Sequence, residues 1–324
     1  MRIATYYENR LGRNDGAPLY YTHLLKRLGH DVTHFTSEPM DPSKWGTFDL
    51  NIWVDWGEDG LTNLLPYKPM EKIPSPSVYI PCDTHITEAG RDYRFHKADQ
   101  FDWVFFNQRR GAEEYLALHP ERKDRVHWLP CAVEPLAYPN SPVALKTYDI
   151  GFVGFVTFRK RAEMLDRMYR EFPNFFYGQR FSRWIYGEPA SGQDAADIFR
   201  KSKIVFSTAA VDDIQMRTFE ALATGSFLLT EKVPYLDELY EDGKHLVTYT
   251  DMDDAVAKAK YYLDPAHEAE REAIAKAGME HTLANHTYVH RAQEMLKVVG
   301  IPPVVSPPNP QDNAKQEESQ SPNA

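Results

Sequence analysis

Two α/β domains, each a parallel sheet with helices on both faces, are what this chain predicts. Three observations carry the expectation. Short apolar runs of strand type alternate with helix-length segments along most of the sequence. The length of 324 residues suits two domains of ordinary size. A proline-rich break, Glu134-Pro-Leu-Ala-Tyr-Pro-Asn-Ser-Pro, separates one strand–helix series from the next. At 42% hydrophobic residues the chain has enough apolar side chains for two cores.

In the first series, strands are expected at Arg2–Tyr6, Asp31–Phe35, Leu50–Val54, Ser77–Pro81, Trp103–Phe106 and Val126–Leu129. A helix is expected from about Ala17 to Leu28, stopped by Gly29, with Pro18 suited to its first turn. In the second series, Ile150–Val153 opens a new α/β unit that runs to about Leu283, and further strands fall at Ile204–Ser207, Phe227–Thr230 and Leu246–Tyr249. A last helix covers about Tyr288–Val299, in which Tyr288, Ala292, Met295 and Leu296 form one apolar stripe. From Ile301 the composition turns to Pro, Asn, Gln and Ser, and a disordered tail is expected over 301–324.

Composition narrows the function. A formal charge of −10 argues against duplex nucleic acid as a partner, because neutralising its phosphates needs a basic face. Apolar runs are too short for a transmembrane span, and MRIATYYENR reads as a strand and not as a signal peptide. Two cysteines, Cys82 and Cys131, suit a reducing, cytoplasmic compartment and provide no metal framework. Asp251-Met252-Asp253 has the D-x-D form of a metal site, but it follows a strand and opens a helix, so capping is its expected role. His286 and His290 lack a third ligand and are expected on an exposed or interdomain face. No metal and no cofactor is expected.

The segment Lys203–Glu231 is the most informative. A buried strand leads through a polar loop into a short helix, about Gln215–Ala223, which Gly225 ends before the next strand. The loop and first helical turn sit at a strand's carboxyl end, where open α/β sheets hold ligands and where free helical N–H groups favour phosphate. Glu220 lies off the apolar edge of that helix, and its carboxylate can accept two hydrogen bonds from a vicinal diol such as a ribose. Arg217, in the first turn, opposes the helix dipole, which favours a phosphate-binding role over solvation. The same mismatch marks Arg159-Lys160-Arg161, which open a helix after the glycine turn at Gly154. A glycine turn followed by cations is what a pyrophosphate leaving group needs without a divalent ion.

Two further loops end strands of the first domain. Tyr7–Gly16 contains Asn14, Asp15 and Gly16 ahead of a helix, without the G-x-G-x-x-G fingerprint, and Gly16 permits close backbone approach. Asp83-Thr84-His85 follows Ser77–Pro81, and a histidine–carboxylate pair there could orient a hydroxyl or move a proton; spacing does not decide between Asp83 and His85 as the base.

Asp212 and Glu220, with seven residues between them and Ala-Leu-Ala-Thr-Gly-Ser-Phe-Leu-Leu-Thr after them, resemble the E-x7-E segment of GT-B glycosyltransferases. Arg217-Thr-Phe-Glu-Ala-Leu-Ala-Thr-Gly and Asp83-Thr-His are similar to the spore-maturation (CgeB-type) branch, over roughly Asp83–Leu296. The resemblance implies two Rossmann-like domains facing across a cleft: an acceptor-side domain over 1–140, a nucleotide-sugar domain over 141–285, and a helix over 286–300 crossing back to the first. It also implies metal-independent transfer of a sugar from a nucleotide-sugar donor, UDP- or GDP-linked, to a hydroxyl acceptor. Glu220 would hold the ribose, and Asp212, an aspartate where the family pattern has glutamate, would lie near the donor sugar. Asn14, Asp15 and Gly16 would meet donor or acceptor, and Asp83 and His85 would act on sugar or acceptor. The E-x7-E pattern favours retention of anomeric configuration. Two alternatives stay open: a nucleotide-sugar epimerase or phosphorylase on the same fold, and a non-catalytic, coat-associated sugar-binding protein.

Overall fold

A computed structural model describes residues 1–7, 16–35, 48–55, 74–84, 88–141, 145–156, 158–179, 188–189, 192–209 and 212–301. By compactness the chain divides into one unit of Met1–Pro130 with Tyr288–Ala324, and a second of Cys131–Thr287. Each contains a parallel six-stranded sheet.

In the first unit the chain runs β1 (Arg2–Tyr6), α1 (Ala17–Arg27), β2 (Asp31–Phe35), β3 (Leu50–Asp55), β4 (Ser77–Pro81), α2 (Glu88–Ala98), β5 (Trp103–Phe106), α3 (Arg109–Leu118) and β6 (Val126–Trp128). The sheet order is β2-β1-β3-β4-β5-β6. Strand order therefore turns around at β1, with Thr5 level with His34 on one side and with Ile52 on the other. Every residue of β4 is buried, as a strand covered on both faces requires. Tyr6, Tyr79, Phe95, Val104, Phe106 and Tyr115 make the core on one face.

The second unit runs β7 (Tyr148–Gly154), α4 (Arg159–Glu171), β8 (Phe175–Gln179), β9 (Glu188–Pro189), α5 (Gln193–Lys201), β10 (Ser202–Ser207), α6 (Met216–Ala223), β11 (Leu228–Glu231), β12 (Val247–Tyr249), α7 (Met252–Leu263) and α8 (Glu268–Asn285). Its order, β12-β11-β10-β7-β8-β9, reverses between β7 and β10. Such a reversal leaves a crevice at the strands' carboxyl ends. Ile150, Phe152, Ile204, Phe206, Leu229 and Tyr249 fill the core under α4 and α7. α6 ends where the sequence predicts, because Gly225 takes a left-handed φ of 75° and its N–H meets the carbonyl of Leu222. β8 and β9 are additions to the strands expected from sequence.

The proline-rich stretch after Cys131 is packed and not extended into solvent. Tyr138 and Glu134 are buried, and Val133 forms a bridge with Thr287 while its N–H donates to the carbonyl of His286. From Tyr288 the chain returns to the first unit as α9 (Tyr288–Val298). Its predicted stripe is the buried one: Tyr288, Ala292, Met295 and Leu296 are each no more than 1% exposed. Tyr288 packs on Tyr20 and Tyr21 of α1 with ring centroids 5.3 Å apart, and the Nε of Arg291 donates to the carbonyl of Pro130 at 2.7 Å. The expected tail beyond residue 301 lies outside the described residues.

Because α9 completes the core of the first unit, Tyr288→Ala should cost roughly 3–5 kcal/mol, the range for deleting a buried aromatic ring. Urea unfolding followed by tryptophan fluorescence measures this. An unshifted midpoint would show that α9 is not part of that core.

Candidate functional site

The carboxyl ends of β7 and β10 are tied together by two buried guanidinium groups. Arg161 is 4% exposed and Arg217 8%. The Nη1 of Arg161 donates to the carbonyl of Phe155 at 2.7 Å, and its Nη2 donates to the carbonyl of Thr208 and to Oε1 of Gln215, both at 3.0 Å. Arg217 reaches back from α6 to the carbonyl of Val153 through Nε, and its Nη1 donates to Oγ of Ser207 and to the same Gln215 oxygen, each at 3.2 Å. One amide oxygen is thus shared by two cations. The ring of Phe152 lies beneath them, with the guanidinium carbon of Arg217 4.3 Å from its centroid.

Burial lowers the Arg161 pKa to about 10, against the opposing pull of Tyr177, Tyr249 and Glu231. Burial raises the Tyr177 hydroxyl to about 12, and the two arginines oppose the rise. Glu231, at the end of β11, supplies the nearby negative charge. Its carboxylate accepts from the hydroxyl of Thr208 at 3.2 Å and from the N–H of Ala209 at 3.1 Å, and it pairs with Lys160.

Two helices begin here without a side-chain cap and without an acidic residue in the first turn: α4 after Phe158 and α6 after Gln215. Their leading N–H groups and partial positive charge suit an anion. Gly154 is required by packing, since a Cβ there would run into the Arg217 guanidinium. The structure therefore brings Gly154, Lys160, Arg161 and Arg217 into one place. Arg161 and Arg217 spend guanidinium donors on carbonyls and so shape the site as well as charging it. Arg159 is different: it projects into solvent and pairs with Glu163 on its own helix. Asp212 is exposed in the loop before α6, and Glu220 is buried within α6, one turn beyond Arg217.

In the first unit, the end of β4 carries a second cluster. Asp55, the last residue of β3, accepts from the hydroxyl of Tyr79 at 2.7 Å and from Lys97 at 3.4 Å, and Arg94 lies 3.7 Å away. Arg94 and Lys97 are almost wholly buried, and the Lys97 ammonium sits 4.1 Å from the Trp53 ring centroid. Asp83 adopts a left-handed φ of 56°, a conformation that aspartate tolerates better than most residues. Burial raises its pKa from 3.8 to about 6; Arg94 opposes the rise and Asp55 adds to it. Thr84 packs against the start of α3, its hydroxyl 3.3 Å from Oε1 of Gln108. Cys82 is buried and donates to Oδ1 of Asn107. Gly16 stands directly before α1 and its carbonyl accepts from the N–H of Leu19 and Tyr20. Asn14, Asp15 and His85 lie outside the described residues.

The apparent metal motif is a helix cap: Oδ1 of Asp251 accepts from the N–H of Asp254 at 2.9 Å. No cluster suited to a metal occurs among the described residues. His286, expected on an exposed or interdomain face, is not exposed. It is buried at the end of α8, 3.3 Å from Nε2 of His281, because Tyr240 and Phe219 enclose its ring. The sequence reading missed Gln215, Glu231, Asp55, Arg94 and Lys97. For Glu231 and Asp55 a signal was available, since each is the first acidic residue at the carboxyl end of a buried strand.

Residues 159–297 match the model of a family described as glycosyl transferase-like. A sucrose-phosphate synthase from Thermosynechococcus elongatus is similar in structure, with a TM-score of 0.65, 13% identity, and 99% of this chain and 100% of that one covered. HepE of Anabaena in complex with UDP-glucose gives 0.65 at 13% identity, over 92% and 99% of the two chains. An α1,3-fucosyltransferase with GDP gives 0.57 at 11%, over 92% and 88%. No curated protein matches the chain. The fold is that of the GT-B glycosyltransferases, two Rossmann-like α/β domains. The family match spans most of the second unit and α9. Among the described residues no helix is long and apolar enough to cross a membrane.

Gly154→Ala should destabilise the second unit by about 2–3 kcal/mol, since it displaces a buried charged donor from its acceptor. In an Arg217→Ala background the same substitution should cost much less, and a double-mutant cycle by urea unfolding measures the coupling. Additive effects would separate Gly154 from Arg217.

Asp83 gives a pH-dependent expectation. Its raised pKa means that the stability it contributes is present below about pH 4 and is lost as pH rises through 6. Asp83→Asn should therefore stabilise the protein at pH 7 by on the order of 2–3 kcal/mol, with the gain vanishing near pH 4. Thermal unfolding of both proteins across that range checks it; a pH-independent difference would place the titration elsewhere.

Proposed function

We propose that this protein transfers a sugar from a nucleotide-sugar donor, UDP- or GDP-linked, to a hydroxyl acceptor, without a divalent metal. The observation that carries the reading is the pair of uncapped helix N-termini, α4 and α6, with Lys160, Arg161 and Arg217 at the reversal of the second sheet. That arrangement suits a diphosphate. The bond that breaks joins the anomeric carbon to a phosphate oxygen, and fixed cations and N–H groups stabilise the charge that the leaving diphosphate gains. Lys160, half exposed and paired with Glu231, is free to turn toward it. Glu220 holds the ribose diol, and Asp212 lies toward the sugar.

Asp83 and His85 serve the acceptor hydroxyl, which forms the new bond to the anomeric carbon and gives up its proton to one of them. A carboxylate with a pKa of about 6 suits that transfer near neutral pH. Asn14, Asp15 and Gly16 contribute from the loop after β1. The D-x7-E spacing of Asp212 and Glu220 supports retention, and the Arg217–Gly225 segment supports a place in the spore-maturation branch. The charge balance and the two free cysteines, Cys82 and Cys131, support a cytoplasmic enzyme with no nucleic-acid partner.

Incubation with a panel of nucleotide sugars, with nucleotide release followed by chromatography, tests the reading. Release should persist in EDTA, and Glu220→Gln should weaken nucleotide binding by roughly 1.5–3 kcal/mol in a folded protein. Dependence on manganese, or unaltered nucleotide affinity in Glu220→Gln, would falsify the metal-free or the ribose assignment respectively. Isomerised donor with no transfer would mark an epimerase instead.

A further inference from the structure

At the opposite end of the second sheet, the amino ends of its strands, a cavity of about 330 Å³ is lined by Lys146, Arg200, Lys203, Arg271 and Lys276, with Glu272 as its one acidic wall. Lys203 stands at the start of β10, and the end of α6 and one face of α8 close the sides. Its volume is at the small end for a ligand pocket.

Four of these cations have carboxylate neighbours: Asp149 for Lys203, Asp197 for Arg200, Glu268 for Arg271 and Glu280 for Lys276. None of those four carboxylates lines the cavity. Asp197 and Glu268 are far more exposed than the buried arginines they pair with, while Asp149 and Glu280 are about as exposed as their lysines. Five cations against one carboxylate leave the lining positive. Although the side chain of Lys146 reaches solvent, its pKa is lowered, first by desolvation and then by Arg271, with Glu272 opposing. Arg200 is 6% exposed, and its buried Nε–H has no hydrogen-bond partner among the described residues. Helix ends do not account for the charge: the last turn of α6 is closed by Thr224 and Gly225 on the carbonyls of Ala221 and Leu222, and Ser202 closes α5 on Ile198 and Phe199. Asn140, Ser141 and Thr224 add hydroxyl and amide groups, and Phe227, Ala275 and Met279 add an apolar wall.

We propose that this cavity is a second ligand site, separate from the cluster at the carboxyl ends of β7 and β10, and that it takes a compact phosphorylated small molecule through its phosphate dianion. It is independent of the proposed reaction. Cations from three directions suit a tetrahedral dianion better than a flat carboxylate, and the neutral donors suit the hydroxyls of an attached polyol.

Isothermal calorimetry of the full chain with inorganic phosphate, and separately with a hexose 6-phosphate, tests it. Both probes should bind, and the double variant Lys146→Gln, Lys276→Gln should bind each at least about tenfold more weakly, an effect of one decade in Kd. Both positions are exposed, so the variant should fold as the native chain does, and UDP titrated into it should bind as it does to the native protein. Tighter binding of the hexose phosphate identifies an organic ligand; equal binding identifies phosphate itself as the occupant. Absence of binding by either probe at millimolar concentration, or equal affinity in the double variant, overturns the proposal.

Discussion

The second unit depends on one oxygen atom, Oε1 of Gln215, which accepts from both Arg161 and Arg217. Each arginine also holds carbonyls at the ends of neighbouring strands: Phe155 and Thr208 for one, Val153 for the other. Removing two guanidinium groups from water is costly unless their donors are met. Strand-end carbonyls and the side chains of Gln215 and Ser207 meet most of them, and only Nε of Arg161 has no partner among the described residues. The loops at the sheet's reversal are thereby fixed around a positive centre, and the N-termini of α4 and α6 stay free of side-chain caps. Rigidity and positive potential come from the same contacts.

The first unit solves a related problem with the opposite bias. Arg94 and Lys97 are buried around Asp55, and Asp83 stands close enough for Arg94 and Asp55 to act on it. Desolvation still wins for Asp83, whose carboxyl is held near the pH at which it can both take and give a proton. A group kept in that state burdens stability and suits proton transfer, which is the usual relation between a working site and the fold that carries it.

Much of the fold was legible because its signals are local. Arg2–Tyr6, Asp31–Phe35, Ser77–Pro81 and Trp103–Phe106 were bounded by residue, since continuous apolar runs between polar turns leave little choice. The stripe of α9 was legible for the same reason. The roles of Arg161 and Arg217 were only half legible. Their clash with a helix dipole showed that they serve something beyond their own helix, but not that carbonyls many residues away would take their donors. The burial of His286 was not legible, because nothing near it in sequence announces Tyr240 and Phe219.

The sequence by itself determined the strand and helix series, the glycine stop at Gly225, the cap at Asp251 and the residues that charge the crevice, because periodicity, turn chemistry and helix polarity act over a few neighbours. Tertiary structure alone decided that Gln215 lies between two arginines, that Glu231 balances Lys160, and that Asp55, Arg94 and Lys97 surround the approach to Asp83. Lys97 and Asp55, Arg161 and Gln215, and Lys160 and Glu231 lie 42, 54 and 71 residues apart along the chain. Only the order of strands in each sheet brings such residues within hydrogen-bond range.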